Sequence, residues 1–465
     1  MISNPLVDPF RQPHRNKSLM PLSRWYIYML PAAEQAIERA RRAGADEADV
    51  YCIADRSVSI STKLNHIEYA TESLTRGIGI RTIVAGAVGF SSTNDESEID
   101  RASELAVAQA AASQPDPDWS GLPQPGPYPA VHGIFDPRLD EIELSECVEL
   151  AVDMIHGVTS VGATPTSGGL AVSTGTNYLL NTNGVAHDEK GTSFSAMIEC
   201  IVKDDGGTSI STAYEFDLSR SFDIDTFEIG RRAGVLAKRS LHGGKIETGR
   251  TTVLFSPFAM TDILEYAFSS SLSADNVQKG RSMLSEVEAH VASDGLNMFD
   301  DGLRRGGIGT MRADDEGTPS RKTVLIEDGI LKGHLHDSYT AGKAGITSTG
   351  NAIRSGYGAT PSISVHNLVL EYPTSDVIAE TEKGVLVHSV IGAHTANQYS
   401  GDFSIEARNA FMIENGEVTQ PIKSLMIAGN VFEMLKKIDG AGTDTRVIGG
   451  VILPTLRIPD LRIVG

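Results

Sequence analysis

Three dipeptides constrain the fold of this chain most tightly: Asn183-Gly184, Asp328-Gly329 and Asn415-Gly416, each set beside runs of β-forming residues. Asn-Gly and Asp-Gly favour two-residue hairpin turns of type I′. Both central residues there take positive φ, which matches the right-handed twist of the paired strands. Val324-Leu-Ile and Ile330-Leu-Lys flank the second signal, and Ala410-Phe-Met-Ile and Val418 flank the third. A back half built of antiparallel hairpins follows. Its helices are expected only at Asp262–Leu272, with a continuation to about Asn276, and at Asn430–Ile438.

The front half reads differently. Ala32 to Gly44 is a run of strong helix formers stopped by a glycine. Val58-Ser-Ile-Ser-Thr-Lys-Leu and Gly77-Ile-Gly-Ile-Arg-Thr-Ile-Val alternate as half-buried strands do. Asn94 is placed to cap a helix reaching Ala112, and Leu144 to Val158 is a second amphipathic helix. Between them, residues 114–137 hold seven prolines, which can donate to neither helix nor sheet, so this stretch is an irregular crossing. The expected fold class is therefore α+β: a flexible extension over residues 1–25, a domain of helices and antiparallel sheet over 26–245, and a β-rich domain with hairpins over 246–465.

Composition excludes several functions. Forty basic against sixty acidic residues give a net charge of −20, which repels phosphate backbones and anionic membranes, so neither nucleic acid nor membrane is an expected partner. No run approaches the roughly 18 apolar residues of a membrane helix, and Arg24 to Pro31 is too short in apolar residues for a secretory signal. The three cysteines are odd in number, widely spaced and without a CxxC pair, as in a reduced, cytoplasmic protein.

Catalytic chemistry is scarce. Gly-x-Ser-x-Gly is missing, as is a phosphate-binding loop; Gly77-Ile-Gly-Ile and Gly306-Gly-Ile-Gly309 read as turns and close backbone approaches. Ser269-Ser-Ser-Leu-Ser273 reads as a helix end, and Asp314-Asp315-Glu316, just before a glycine, as a solvated turn. His334 and His336 are the two histidines close enough to form a metal-ligand pair, since strand alternation would put both rings on one face. The plainer reading makes them half-exposed hairpin residues. A zinc peptidase needs two histidines on one helical face and a nearby carboxylate, and no His-Glu pair occurs anywhere in the 465 residues.

The segment from Asp314 to Tyr357, DDEGTPSRKTVLIEDGILKGHLHDSYTAGKAGITSTGNAIRSGY, resembles the C-terminal half of the TldD/PmbA (TldE) metallopeptidases. Arg42 to Tyr51, Gly77-Ile-Gly-Ile-Arg, Ile413-Glu-Asn-Gly416 and the ending Gly450-Val-Ile-Leu-Pro454 are similar to other parts of that family, the last to its PmbA/TldE branch. The resemblance implies a heterodimer in which a TldD chain carries zinc on a His-Glu-x-x-x-His helix and a TldE chain carries none. The stretch corresponding to that helix is Thr261 to Ser271, which has no histidine, and the tail from Gly442 to Pro454 lacks the cysteine ligand of the catalytic chains. So the resemblance implies a cytoplasmic, non-catalytic subunit without a cofactor of its own, with zinc on a TldD-like partner, unfolded peptide as substrate, and a homodimer as the alternative assembly. The family name "modulator of DNA gyrase" is no sign of DNA binding in a chain this acidic. Asn351, Arg354 and Tyr357 are the candidates for lining a peptide cleft, offering a donor–acceptor, a carboxylate-binding fork and an aromatic surface. Two other readings stay open: a stand-alone peptide-binding or scaffold protein, and a peptidase rebuilt around His334 and His336.

Overall fold

The computed structural model describes residues 22–465, with side chains from Met29 onward. Helix α1 (Leu22–Ala43) starts ten residues ahead of the expected Ala32 and contains Pro31; Gly44, at φ +106°, ends it. Residues 22–25 of the expected extension thus belong to a helix, and residues 1–21 lie outside the described residues.

Three strands follow, β1 (Glu47–Lys63), β2 (His66–Val84) and β3 (Ala87–Thr93), and then α2 (Ile99–Ala112). A one-turn helix α3 (Pro137–Asp140) closes the proline-rich crossing. The same arrangement then recurs: α4 (Leu144–Ser160), β4 (Thr164–Asn181), β5 (Ala186–Lys203), β6 (Ile210–Ser219) and α5 (Thr226–Arg239). The two meanders join through β1 and β4 into one antiparallel sheet of order β3-β2-β1-β4-β5-β6, each half a helix, three strands and a helix. Strand alternation sets the layers. Ala48, Val50, Cys52, Ala54, Val58 and Ile60 point to one face, where α1 and α2 cover one half and α4 and α5 the other. Tyr51, Ile53, Asp55 and Ser57 point to the opposite face. Asp95, not Asn94, is the capping residue at Glu96–Glu98 ahead of α2, its carboxylate accepting from the Ser97 N–H.

The back half contains β7 (Gly249–Phe255), α6 (Pro257–Ala267), α7 (Ala274–Gln278), β8 (Asn297–Asp301), β9 (Lys322–Glu327), β10 (Ile330–Leu331) and α8 (Ser338–Ala344). Then come β11 (Ala352–Ile353), β12 (Ser362–Ile363), β13 (Leu368–Glu371), β14 (Lys383–Ile391), β15 (Asp402–Glu414), β16 (Glu417–Ile422) and β17 (Met426–Asn430). The chain closes with α9 (Val431–Leu435), β18 (Gly440–Ala441), β19 (Arg446–Ile448), β20 (Val451–Leu453) and β21 (Leu456–Val464). The pairings β14–β15, β15–β17, β17–β21, β21–β7 and β7–β14 close into a ring, so this five-stranded barrel leaves no free edge among its own strands. Its apolar interior, α6 and α9 form one core with the second sheet, β10-β9-β8-β13-β20-β19.

Two hairpin signals hold as read: Asp328 and Gly329 (φ +48° and +77°) join β9 to β10, and Asn415 and Gly416 (φ +53° and +81°) join β15 to β16. The third takes another form. At Asn183-Gly184 only the glycine has positive φ, and the Asn181 side chain instead organises a longer loop by accepting from the N–H groups of Asn183 and Val185. No described helix is long and apolar enough to cross a membrane.

Candidate functional site: a cleft over the sheet and a groove beside a helix

Asp314-Asp315-Glu316 is not a solvated turn. All three residues are at least 95% buried, against the helix-free face of the front sheet. Asp314 shapes the turn, its carboxylate accepting from the N–H groups of Glu316, Thr318 and Ala352 at 2.8–3.0 Å. Burial, and then the Glu316 charge, push its pKa up well beyond the ordinary carboxylate range. Glu316 accepts from Arg81 Nη1 at 2.9 Å, Arg81 Nε donates to Asp49 at 2.7 Å, and Asp49 also accepts from Arg354 Nη2 at 2.8 Å. Arg354 N donates to the Asp315 carboxylate at 2.7 Å. Tyr51 lies beneath, with Arg354 5.2 Å over its ring; burial, then the Asp315 charge, push its phenol up. Two strands of the front sheet are thereby tied to two segments of the back half by charges that water does not reach.

Beside this network opens a cleft of about 910 Å³. Its floor is the polar face of the front sheet, with Asp55, Ser57, Ser173, Gly175, Asn177 and Gly191, and its walls include Arg220, Arg354 and Tyr357. Two of the three cleft candidates therefore lie on it. Tyr357 packs so closely on the sheet that a Cβ on Gly77 would stand 2.4 Å from its ring, and one on Gly79 would stand 2.3 Å from its carbonyl oxygen. Gly77-Ile-Gly-Ile does serve close backbone approach. The Arg354 fork, however, is already engaged by Asp49 and by the carbonyls of Asp315 and Ala359. Asn351 is fully buried elsewhere, its amide donating to Asp300 Oδ2 at 2.6 Å and to the Ser364 carbonyl at 2.9 Å. The residue overlooked in the sequence is Asp55. Its place among the outward-facing polar positions of β1 was the available signal.

A second opening, of about 900 Å³, runs along α6. Pro257 in the first turn starts this helix and packing against the barrel holds it, with Thr261, Ile263 and Leu264 buried. Leu264, Glu265, Ser269, Ser270 and Ser273 line the groove on one side, and residues 361–365 and 449–451 on the other. Burial, then the Glu265 charge, push Asp262 up to about 6. Among the described residues no three or more His, Cys, Asp or Glu side chains converge on a possible metal position. His334 and His336 are not half-exposed: both are more than nine-tenths buried, packed where the chain runs into α8. His334 Nε2 lies 2.5 Å from the Leu284 carbonyl oxygen, and burial pushes His336 down to about 4. Their odd-numbered neighbours Leu335 and Asp337 line the groove; they do not.

Comparison with known proteins agrees with this architecture. Residues 48–110 match the model of PmbA/TldA metallopeptidase domain 1, residues 137–241 its central domain, and residues 248–465 its C-terminal domain. An uncharacterized protein of Methanocaldococcus jannaschii is 32% identical over 84% of this chain and 90% of its own length. The metalloprotease PmbA homolog of Haemophilus influenzae is 26% identical over 93% of this chain and 95% of its own. Among solved structures, TldE from Thermococcus kodakarensis superposes with a TM-score of 0.87 at 27% identity, covering 93% of this chain and all of that one. This chain belongs to the PmbA/TldD metallopeptidase family.

Proposed function

We propose that this chain is the non-catalytic, TldE-type subunit of a two-chain zinc peptidase, shaping the chamber and holding unfolded peptide for a TldD-like partner that carries the metal. The observation that carries the reading is α6. It lines an open groove, as a catalytic helix would, yet the groove side of that helix offers Leu264 and Glu265, and no histidine occurs between Thr261 and Ser271. Zinc on the partner would supply the activated water; the residues here would position the peptide. Among the described residues strand β12 pairs only with β11, so its other edge offers main-chain groups to an extended segment, a mode of capture independent of side-chain sequence. A stand-alone peptide-binding protein is the second reading, favoured by the cleft over the sheet, which needs no metal to accept a ligand. The engagement of His334 with the Leu284 carbonyl counts against a site rebuilt on the two histidines.

The test is paired. Zinc content and hydrolysis of an unstructured peptide are measured for this chain alone and after co-expression with a homologue bearing His-Glu-x-x-x-His. Zinc and chelator-sensitive hydrolysis in the co-purified pair alone is the expected result. Stoichiometric zinc and activity in the lone chain would overturn it, and failure of the two chains to associate would move the weight to the peptide-binding reading.

A further inference from the structure

Four charged residues line the cleft over the front sheet: Asp55, Glu189, Arg220 and Arg354. Three are answered within the chain. Glu189 accepts from the Arg312 N–H at 2.7 Å, Arg354 is paired with Asp49, and Arg220 donates to the carbonyls of Thr192, Gly307 and Ile308. The Asp55 carboxylate has neither hydrogen bond nor ion pair with any described residue, and burial alone raises its pKa. A partly desolvated carboxylate without a partner costs stability, and such groups concentrate where a protein meets a ligand.

Two glycines let the Asp55 and Arg220 side chains lie close on the sheet, at the floor of the open cleft. Asp55 stands opposite Gly175 in the ladder, and Gly175 stands opposite Gly191. A Cβ on Gly175 would lie 2.6 Å from Asp55 Oδ1, and one on Gly191 would lie 2.8 Å from Arg220 Nη1. The two glycines form a trough, with the Asp55 carboxylate over one and the Arg220 guanidinium over the other. Strands β1, β4 and β5 are each paired on both sides, so a ligand above them meets side chains and not free main-chain groups. We propose, resting on the reading of this chain as a peptide-holding subunit, that Asp55 binds a cationic group of the peptide, a lysine or arginine side chain or an amino terminus, above the Gly175–Gly191 trough.

The test is a fluorescence-anisotropy titration near neutral pH and low salt, on the lone chain and on the co-purified pair with chelator added to stop hydrolysis. Three C-terminally labelled Gly/Ser peptides serve as probes: acetylated with one lysine, acetylated with norleucine in its place, and norleucine with a free amino terminus. One cationic peptide should bind about tenfold more tightly than the neutral one, the usual scale of a charge-assisted contact, and which of them does so identifies the source of the charge. Asp55→Asn should erase the difference, Gly175→Ala should reduce it by crowding the carboxylate, and Asp205→Asn, on an exposed loop, should preserve it. Equal affinity for all three peptides, a preference surviving in Asp55→Asn, or no binding by either sample would overturn the proposal. The subunit reading fails separately: a pair without zinc or hydrolysis that still prefers the cationic peptide would sink that reading and leave Asp55 in its role.

Discussion

Asp55 also makes a prediction about stability, because a carboxylate kept from water and given no counter-charge is easier to fold when neutral. Burial pushes it up to about 6, whereas in an unfolded chain an aspartate titrates near about 3.9. The folded state therefore holds its proton to higher pH, and the stability that this proton confers is lost as pH rises from about 4 through about 6. Facing the same cleft are Tyr51, Tyr357, Glu189, Arg220 and Arg354, the last three internally partnered. Asp55→Asn should accordingly stabilise the protein at about pH 7, on the order of 1–2 kcal/mol once water in the open cleft is allowed for, and do nothing at about pH 4. Urea titrations at both pH values measure it; a variant equally or less stable at neutral pH would refute it. The sequence was weakest at this scale. Asp314-Asp315-Glu316 looks solvated because three adjacent acids normally are; what meets them in the interior is backbone N–H groups for Asp314, Arg354 for Asp315 and, for Glu316, Arg81, 235 residues away along the chain. The exposure of His334 and His336 was misread for a similar reason: period-two spacing places two rings, but only the surrounding packing decides whether they are half-exposed or buried.

Local rules were far more legible at the level of elements. Asn-Gly and Asp-Gly located two hairpins, yet Ala85-Gly86, which joins β2 to β3 with φ +50° and +80°, carries no comparable signal because alanine seldom adopts that conformation. Helix α5 was missed among its arginines and glycines, and those glycines are what bring it close to α4. A Cβ on Gly157 would stand 2.0 Å from the Phe227 carbonyl oxygen, and one on Gly230 would stand 2.0 Å from that of Met154. Two effects compete in Gly157→Ala and Gly230→Ala. Alanine gains about 1 kcal/mol of helix propensity, whereas forcing apart two backbones in a packed core costs about 1–3 kcal/mol or more. At 2.0 Å against backbone atoms the clash wins, since no side chain can rotate away. Each variant should lose about 1–2 kcal/mol net in denaturant unfolding, and a gain from either would mean that the helices slide apart without cost.

Across the whole molecule, the charges at Asp49 decide whether the front sheet and the barrel unfold as one body. Asp49 is 2% exposed and accepts from Arg81 of β2 and from Arg354 of the back half, while Arg81 reaches on to Glu316. Such a cluster is not stabilising by default, since desolvating several charges opposes their attraction; removing one member, however, leaves the others buried and unmatched, at about 3–5 kcal/mol. Asp49→Asn keeps the shape and removes the charge shared by two guanidiniums, so a loss of that size is expected, out of a total of about 5–15 kcal/mol for a typical domain. The exposed pair Arg42–Glu38, on one face of α1, supplies the contrast: Glu38→Gln should cost no more than roughly 0.5 kcal/mol. Calorimetry separates the coupling from the loss itself. The parent chain should melt in a single transition because the network spans both halves, and Asp49→Asn should melt earlier and in two, the front sheet no longer waiting on the barrel. A single, barely shifted transition in the variant would mean that the other contacts between the halves, among them Arg312 with Glu189 and Arg220 with the Gly307 and Ile308 carbonyls, join them without Asp49, and that the buried charges there serve only to fix the wall of the cleft.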